Sequence, residues 1–281
     1  MNVLIAGCGY VGVRAAALLH AQGHAVWALR RSPGDPLPFL RWVQGDLTAG
    51  TRLNLPDAID AVILAAGLRR DTDDRYQALL VDGYGRLLHT LYGRALPPGR
   101  CVMVSTTGVF AEADGGRVTE ASPVDGDRSP ARYYLGGEAL VDALTGRHAV
   151  VRLSGIYGPE RHRLIREVRE GRAVRIPPPP HFLNQIHAAD AAGALVHVLH
   201  LDTPSACYIA SDTEPADRND VLAWLADQLG TGPLPLSKDP ADRPGRRSGN
   251  KRCDSAQLVA SGYTFRYPTY REGYRALLRE A

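Results

Sequence analysis

The sequence predicts an α/β fold, a doubly wound parallel sheet with a smaller C-terminal substrate lobe, on three observations. Short apolar runs alternate with longer amphipathic ones through the first 150 residues, as repeated strand-helix units require. Gly7, Gly9 and Gly12 form a G-x-G-x-x-G turn directly after the first apolar run and at the start of the first helical one. Beyond residue 155 the alternation gives way to polar helices and a proline-stiffened loop.

The elements follow in order. NVLIAG (2 to 7), HAVWALR (24 to 30), AVILAAG (61 to 67), CVMVST (101 to 106) and AVVRLSG (149 to 155) are short and almost wholly apolar, as strands buried on both faces are. GVRAAALLHAQG, DRYQALLVDGYGRLLHTLYG and LGGEALVDALTG read as the helices between them. LIREVREGR then reads as a polar helix, and four prolines in IPPPPHFLNQIH predict a rigid extended loop at 177 to 180. AADAAGALVHVLH is an apolar helix, CYIAS a strand, and RNDVLAWLADQLG a helix closed by Gly230. Residues 231 to 250 are a Pro/Gly/Arg-rich excursion, and the tail reads as a helix, an extended piece and a terminal helix. The expected division is a dinucleotide-binding domain at 1–154, with 184–210 returning to it, and a smaller lobe from 155–183 and 211–281.

Composition narrows the function classes. A chain of 281 residues with 44% hydrophobic and 22% charged content is a soluble globular protein. No apolar run reaches the ~20 residues of a membrane span, and no secretory leader pattern is seen, so a cytoplasmic location is expected. Cys8, Cys101, Cys207 and Cys253 are far apart and form no CxxC pair, which predicts reduced structural thiols and neither a metal site nor a disulfide framework. A formal charge of +3 is too small to imply a nucleic-acid partner, and the arginine-rich segment 243 to 252 reads as a solvated loop. Of the basic residues only Lys238 and Lys251 are lysines.

In the glycine turn, Gly7 permits the tight bend, Gly9 lets the backbone approach a pyrophosphate, and Gly12 lets the helix opened by Tyr10 and Val11 lie on the sheet. The second strand of such a fold normally ends on an acidic residue that binds the ribose of NAD. Here Arg30, Arg31 and Ser32 stand instead, and guanidinium groups can grip a 2'-phosphate, so a preference for NADP(H) over NAD(H) is expected, the alternative being a solvated arginine pair. Asp46, followed by Leu47, is placed to accept from the adenine amino group, and Ala65, Ala66 and Gly67 leave room for the ribose.

With the turn, GDL at 45 to 47, VSTTGVF at 104 to 110, RLSGIYGP at 152 to 159 and QIHAADAA at 185 to 192, the chain resembles the extended and atypical short-chain dehydrogenase/reductases, the NAD-dependent epimerase/dehydratase-like proteins. The resemblance covers almost the whole length. It implies a Rossmann domain, makes Thr106 the residue that hydrogen-bonds the substrate oxygen, and places Ser154, Gly155 and Ile156 at the nicotinamide end. His187 and Asp190 match a motif with a structural role.

The family's catalytic pair is a tyrosine acting as acid/base and a lysine four residues on, which binds the nicotinamide ribose and lowers the phenol's pKa. In SPARYYLGGEALV, 129 to 141, Pro130 stands at the tyrosine position and Tyr134 at the lysine position, and no shift of register restores the pair. A phenol of ordinary pKa, about 10, is a poor base at neutral pH without a nearby cation. Arg132 or oxidised nicotinamide would have to supply it. Tyr134 is expected to face the nicotinamide ribose in place of lysine, with Tyr133 packed elsewhere; the alternative is that both tyrosines cover the sheet. Arg69, Arg70, Arg161, His162 and His181 are weaker candidates for contact with an anionic small-molecule substrate.

Two functions remain open. One is an NADP(H)-dependent oxidoreductase or epimerase for a small carbonyl or alcohol compound, a possible homodimer by the family's four-helix mode. The other is a non-catalytic NADP(H)-binding sensor or scaffold.

Overall fold

The computed structural model describes residues 1–32, 37–68, 71–239 and 249–280. The chain runs β1 (Asn2–Ala6), α1 (Tyr10–Ala21), β2 (Ala25–Arg30), β3 (Leu40–Gln44), β4 (Ala61–Leu64), α2 (Asp73–Tyr76), α3 (Tyr84–Tyr92), β5 (Arg100–Thr106), β6 (Gly116–Val118), α4 (Ala131–Leu144), β7 (His148–Leu153) and β8 (Gly155–Tyr157). It continues through α5 (Arg163–Arg169), β9 (Phe182–Leu183), β10 (Gln185–His187), α6 (Ala188–His200), β11 (Cys207–Ala210), β12 (Ala216–Asp217), α7 (Arg218–Leu229), β13 (Lys251–Cys253), α8 (Ala256–Ala260) and α9 (Tyr270–Glu280). No helix among the described residues is long and apolar enough to cross a membrane.

Seven strands form a parallel sheet in the order β11-β7-β5-β4-β1-β2-β3. The chain winds outward from β1 to β3 and then returns to β4 and onward in the other direction. The sheet is therefore doubly wound, with its topological switch between β1 and β4, beside which ligands of such sheets bind. All four residues of β4 are buried, which is why its sequence is an unbroken apolar run.

Two compact units result. One comprises Met1–Val109, Asp125–Arg152 and Ala191–Tyr208; the other comprises Phe110–Val124, Leu153–Asp190 and Ile209–Ala281.

In the first unit, Leu4, Val62, Leu64 and Met103 of the sheet pack with Leu80, Tyr84, Leu88 and Val141 of the helices. The helix expected over 74 to 93 is not uniform: a π-helical segment, Gln77–Gly83, joins α2 to α3. A side chain at Gly83 would stand 2.7 Å from the Leu47 carbonyl oxygen, so glycine lets the widened turn rest on the loop after β3. The fourth helix begins at Ala131, earlier than the apolar run from 135 suggested. At Gly137 a Cβ would meet Met103 Cε at 2.7 Å and the Leu80 carbonyl oxygen at 2.9 Å, so this glycine brings α4 close to β5 and the π-helical segment.

One turn beyond Tyr134, Glu138 accepts two hydrogen bonds from Arg152, Nη2 to Oε2 at 2.7 Å and Nε to Oε1 at 3.1 Å, and a third from the Ser105 hydroxyl at 2.5 Å. The ion-pair side chains are 9% and 12% exposed, which makes this a buried, bidentate pair. It ties α4 to β5 and β7.

The second unit packs Leu164, Ile165 and Val168 of α5 against Val221, Leu222 and Leu225 of α7 and Tyr270, Tyr274 and Leu277 of α9. Helix α7 ends as its sequence predicts: the Asp217 carboxylate caps Asn219 N at 2.9 Å, and Gly230 closes the helix in the left-handed region at φ 66°. Short strand pairs complete the unit, β8 with β10 and β6 with β13 in parallel, and β9 with β12 antiparallel.

Glu138→Ala would leave Arg152 buried without a carboxylate. The expected loss in urea unfolding is about 3–5 kcal/mol, and Glu138→Ala with Arg152→Met recovers most of it.

Candidate functional site

The glycine turn is held from two sides. Gly7 N donates to the Leu29 carbonyl at 2.9 Å, at the end of β2. On the other side the end of β4 presses so close that a Cβ on Gly7 would lie 2.1 Å from Ala66 N, and φ at Gly7 is +95°. At Gly12 a Cβ would stand 2.9 Å from the Gly7 carbonyl oxygen, so α1 starts tight against the turn. Gly9 differs from both. Its φ is −96°, which any residue can adopt, and a Cβ there would meet nothing within 4 Å.

That open side suits an anion. No side chain caps the N-terminus of α1, whose first turn opens with Tyr10 and Val11, and that turn carries no acidic residue. Its backbone N–H groups and the positive end of its dipole remain available to a pyrophosphate. These features fit the dinucleotide that the motif implies.

The neighbouring strand ends continue the row. Arg30 is half-buried, its guanidinium carbon 5.6 Å from the Trp42 ring centre, and Arg31 and Ser32 are exposed. After β3, burial works to raise the Asp46 carboxyl, but hydrogen bonds from the Thr48 hydroxyl and N–H, with Arg31 and Arg75 nearby, outweigh it and hold the carboxyl below its usual range. Asp46 is thus an ionised acceptor at neutral pH. Leu47 is buried, and its carbonyl accepts from Arg86 Nη2 at 2.7 Å. Ala65 N donates to Ala6 O at 2.8 Å, the Tyr84 hydroxyl donates to Ala66 O at 2.8 Å, and a Cβ at Gly67 would meet nothing within 4 Å. The turn, Arg30, Asp46 and Ala65 to Gly67 therefore follow the carboxyl ends of four adjacent strands, β1, β2, β3 and β4.

At the end of β5, Thr106 Oγ1 accepts from Gly108 N at 3.0 Å, which leaves its own hydrogen free to be donated. On α4, burial raises the Tyr134 phenol to about 12, with the neighbouring Tyr76 adding to it. Tyr134 is a hydrogen-bond donor at neutral pH, not a base, and no described residue hydrogen-bonds its hydroxyl. Arg132 does not serve it. The Arg132 guanidinium pairs with Asp73 and donates to the Tyr133 hydroxyl at 2.9 Å, while the Tyr133 ring stacks on Tyr76 with centres 6.2 Å apart. Asp73 also accepts from the Ser129 hydroxyl, joining α2 to the start of α4.

In the second unit, Ser154 Oγ is buried without a partner, Gly155 pairs in register with Gln185, and Ile156 is half-buried. Arg161 closes a tight turn with Gly158 by reciprocal backbone hydrogen bonds, and His162 follows it at the start of α5. His181 lies on a separate segment, where its carbonyl accepts from Arg218 N at 2.9 Å. Asp190 accepts from the backbone N–H groups of Arg266 and Tyr267 and from the Tyr263 hydroxyl, and the His187 ring packs 4.1 Å from Tyr267. Arg69 and Arg70 lie outside the described residues.

Sequence reasoning misses Glu138, Ser105, Arg152 and Tyr84. The i, i+4 spacing of Tyr134 and Glu138, which puts both on one helix face, is the available signal.

Three comparisons bear on this arrangement. The family profile described as "NAD dependent epimerase/dehydratase family" matches residues 3–206. No curated protein gives a significant sequence match. Among solved structures, a Methylobacillus flagellatus protein given the same epimerase/dehydratase description is 30% identical, with 99% of this chain and 98% of that one covered and a TM-score of 0.79. The human epimerase family protein SDR39U1, solved with NADPH, is 22% identical over 100% of both chains, TM-score 0.77. MoeE5, solved with UDP-glucuronic acid and NAD, is 23% identical over 100% of both chains, TM-score 0.81.

The two glycines separate packing from binding. Gly9→Ala is expected to melt with the unsubstituted protein yet lose roughly tenfold or more in NADPH affinity, about 1.4 kcal/mol. Gly7→Ala, driven into Ala66, is expected to lower the melting temperature sharply.

Proposed function

Since the chain belongs to the NAD dependent epimerase/dehydratase family, we propose that it is an NADP(H)-dependent oxidoreductase or epimerase of the short-chain dehydrogenase/reductase type, acting on a small anionic carbonyl or alcohol compound. The observation that carries this reading is the open face of Gly9 at an uncapped helix N-terminus, continued by Arg30 and Arg31 where NAD-binding chains place an acid. Of the related proteins, SDR39U1 was solved with NADPH and MoeE5 with NAD, so the arginines rather than the fold support the preference for the phosphorylated cofactor.

The nicotinamide group, when bound, supplies hydride donor or acceptor chemistry. The chain's part is binding and proton placement. Thr106 donates its hydroxyl hydrogen to the substrate oxygen, polarising the carbonyl or holding the alkoxide. Tyr134 would donate a hydrogen bond to the nicotinamide ribose at the position of the family's lysine, and its hydroxyl or a water would deliver the proton. Ser154, Gly155 and Ile156 are the residues that the family resemblance assigns to the nicotinamide end. Arg161 offers a cationic contact and His162 a hydrogen-bonding one for a substrate carboxylate or phosphate, a charge type that the UDP-glucuronic acid bound by MoeE5 also carries. The helices from 75 to 93 and 135 to 145 supply the face of a homodimer.

Pro130 at the acid/base position and Tyr134 at the lysine position favour a second reading, an NADP(H)-binding sensor or scaffold without chemistry. Substrate-dependent NADPH oxidation across small carbonyl compounds, abolished by Thr106→Ala, establishes the enzyme. Failure of every compound leaves the sensor.

In parallel fluorescence titrations, the unsubstituted protein is expected to bind NADPH more tightly than NADH. Arg30→Asp is expected to reduce that preference about tenfold or more, the worth of one charge-assisted hydrogen bond. An unaltered ratio would remove the case for NADP(H).

A further inference from the structure

The second unit contains buried polar atoms that its own hydrogen bonds leave over. The hydroxyls of Tyr157 and Tyr270, Gln185 Oε1 and both carboxyl oxygens of Asp212 are buried without a hydrogen-bond partner. Tyr157 is 3% exposed, and Tyr270 and Asp212 are each 1% exposed, so bulk water does not satisfy them. Folded proteins pair nearly all such atoms, and a cluster of unpaired ones calls for an ordered water or an ion.

These atoms belong to one neighbourhood. Asp212 N donates to the Gln185 carbonyl oxygen at 2.7 Å, so the two side chains leave adjoining backbone. Gln185 Nε2 donates to the Tyr274 hydroxyl at 2.7 Å, which occupies the amide nitrogen and leaves Oε1 unpaired. The Tyr274 ring lies 4.6 Å from that of Tyr157. The Tyr157 hydroxyl lies against α9 so closely that a Cβ on Gly273 would stand 1.8 Å from it, and Tyr270 is one turn earlier on the same helix. The Asp212 charge is felt at the hydroxyls of Tyr157, Tyr270 and Tyr274 alike.

The charge balance is incomplete. Among the described residues Asp212 has no ion-pair partner: Arg271 nearby is committed to Glu214, and Glu272 is bonded to Thr269. The Glu214 backbone N–H favours the charged Asp212 carboxyl, but burial and the nearby carboxylates of Glu214, Glu272 and Asp190 oppose it. A buried carboxylate is strongly unfavourable unless something neutralises it.

The donor set identifies the neutraliser. Every available atom is oxygen, which excludes the nitrogen and sulfur preferences of zinc or copper. A single carboxylate with neutral phenol and amide oxygens matches one positive charge, where calcium sites recruit several carboxylates. We propose that Asp212, Tyr157, Gln185 and Tyr270 form a site for a monovalent alkali cation, potassium or sodium, that completes the core of the second unit. The competing neutraliser is a proton, since burial raises the Asp212 carboxyl well above its usual range.

Thermal unfolding of the full chain, with choline chloride replaced by KCl or NaCl at constant ionic strength, distinguishes the two. The melting temperature is expected to rise with one of the alkali ions, by about 3 °C at tenfold excess over Kd and further with the logarithm of its concentration. In Asp212→Asn this ion-specific rise is expected to vanish. Equal melting temperatures in all three salts, or a rise that survives in Asp212→Asn, would overturn the proposal. Should that variant not fold, Tyr157→Phe removes a single ligand oxygen and is expected to weaken the cation's Kd about tenfold; an unchanged Kd would likewise overturn it. None of these readings depends on cofactor or turnover, so they stand apart from the proposed function.

Discussion

The cofactor edge of the first unit depends on one close approach, that of the Ala66 backbone to Gly7. Because β4 runs beside β1, the segment leaving β4 must cross the turn leaving β1, and the two backbones meet with no room for a side chain between them. Several consequences follow from this contact. Gly7 takes a left-handed conformation, the turn bends sharply enough to start α1 at Tyr10, and Gly12 is drawn against the Gly7 carbonyl. Tyr84 anchors Ala66 from the far side by its hydroxyl. The polypeptide thereby leads from the turn into a helix N-terminus that no side chain caps.

A second constraint organises the chemistry beside it. Glu138 fixes α4 against two strands, through Ser105, the neighbour of Thr106, and through Arg152 of β7. The helix that carries Tyr134 is thus registered against the strand that carries Thr106 by a charged contact, sealed from water, rather than by shape alone. Gly137 makes the approach sterically possible, and Glu138 makes it directional. The two adjacent tyrosines both pack against the core of the first unit, but Arg132 and the Tyr76 ring hold Tyr133, while burial pushes the Tyr134 phenol up.

Much of the first unit was legible in the sequence because parallel strands buried on both faces leave unmistakable apolar runs. Gly7 and Gly12, set between a strand and a helix, are also what a tight bend against a neighbouring strand demands. The αL closure at Gly230 and the reach of the family resemblance were legible for similar reasons. What the sequence hides depends on contacts distant along the chain. The short β6 strand pairs with β13, more than a hundred residues away, and nothing within GRV announces it. Glu138 and Arg152 look like ordinary solvated charges until the fold buries them together. Tyr133 and Tyr134 cannot be told apart from spacing, since the distinction lies in Asp73 and Tyr76 on another helix. Asp212 in ASDTE stands among polar residues in the sequence, and only the fold makes it an interior carboxyl.

The π-helical stretch between α2 and α3 has an implication for how the sequence can vary. A π turn holds about one residue more than an α turn, so the segment 77 to 83 absorbs a residue in excess of a regular helix while the helix after it keeps its phase. Gly83 rests on the Leu47 carbonyl and Tyr84 holds the Ala66 carbonyl at the end of that segment. Loss of one residue here would regularise the helix and still leave Tyr84 on the side that faces Ala66, so this stretch is where the chain can change length without turning its neighbours.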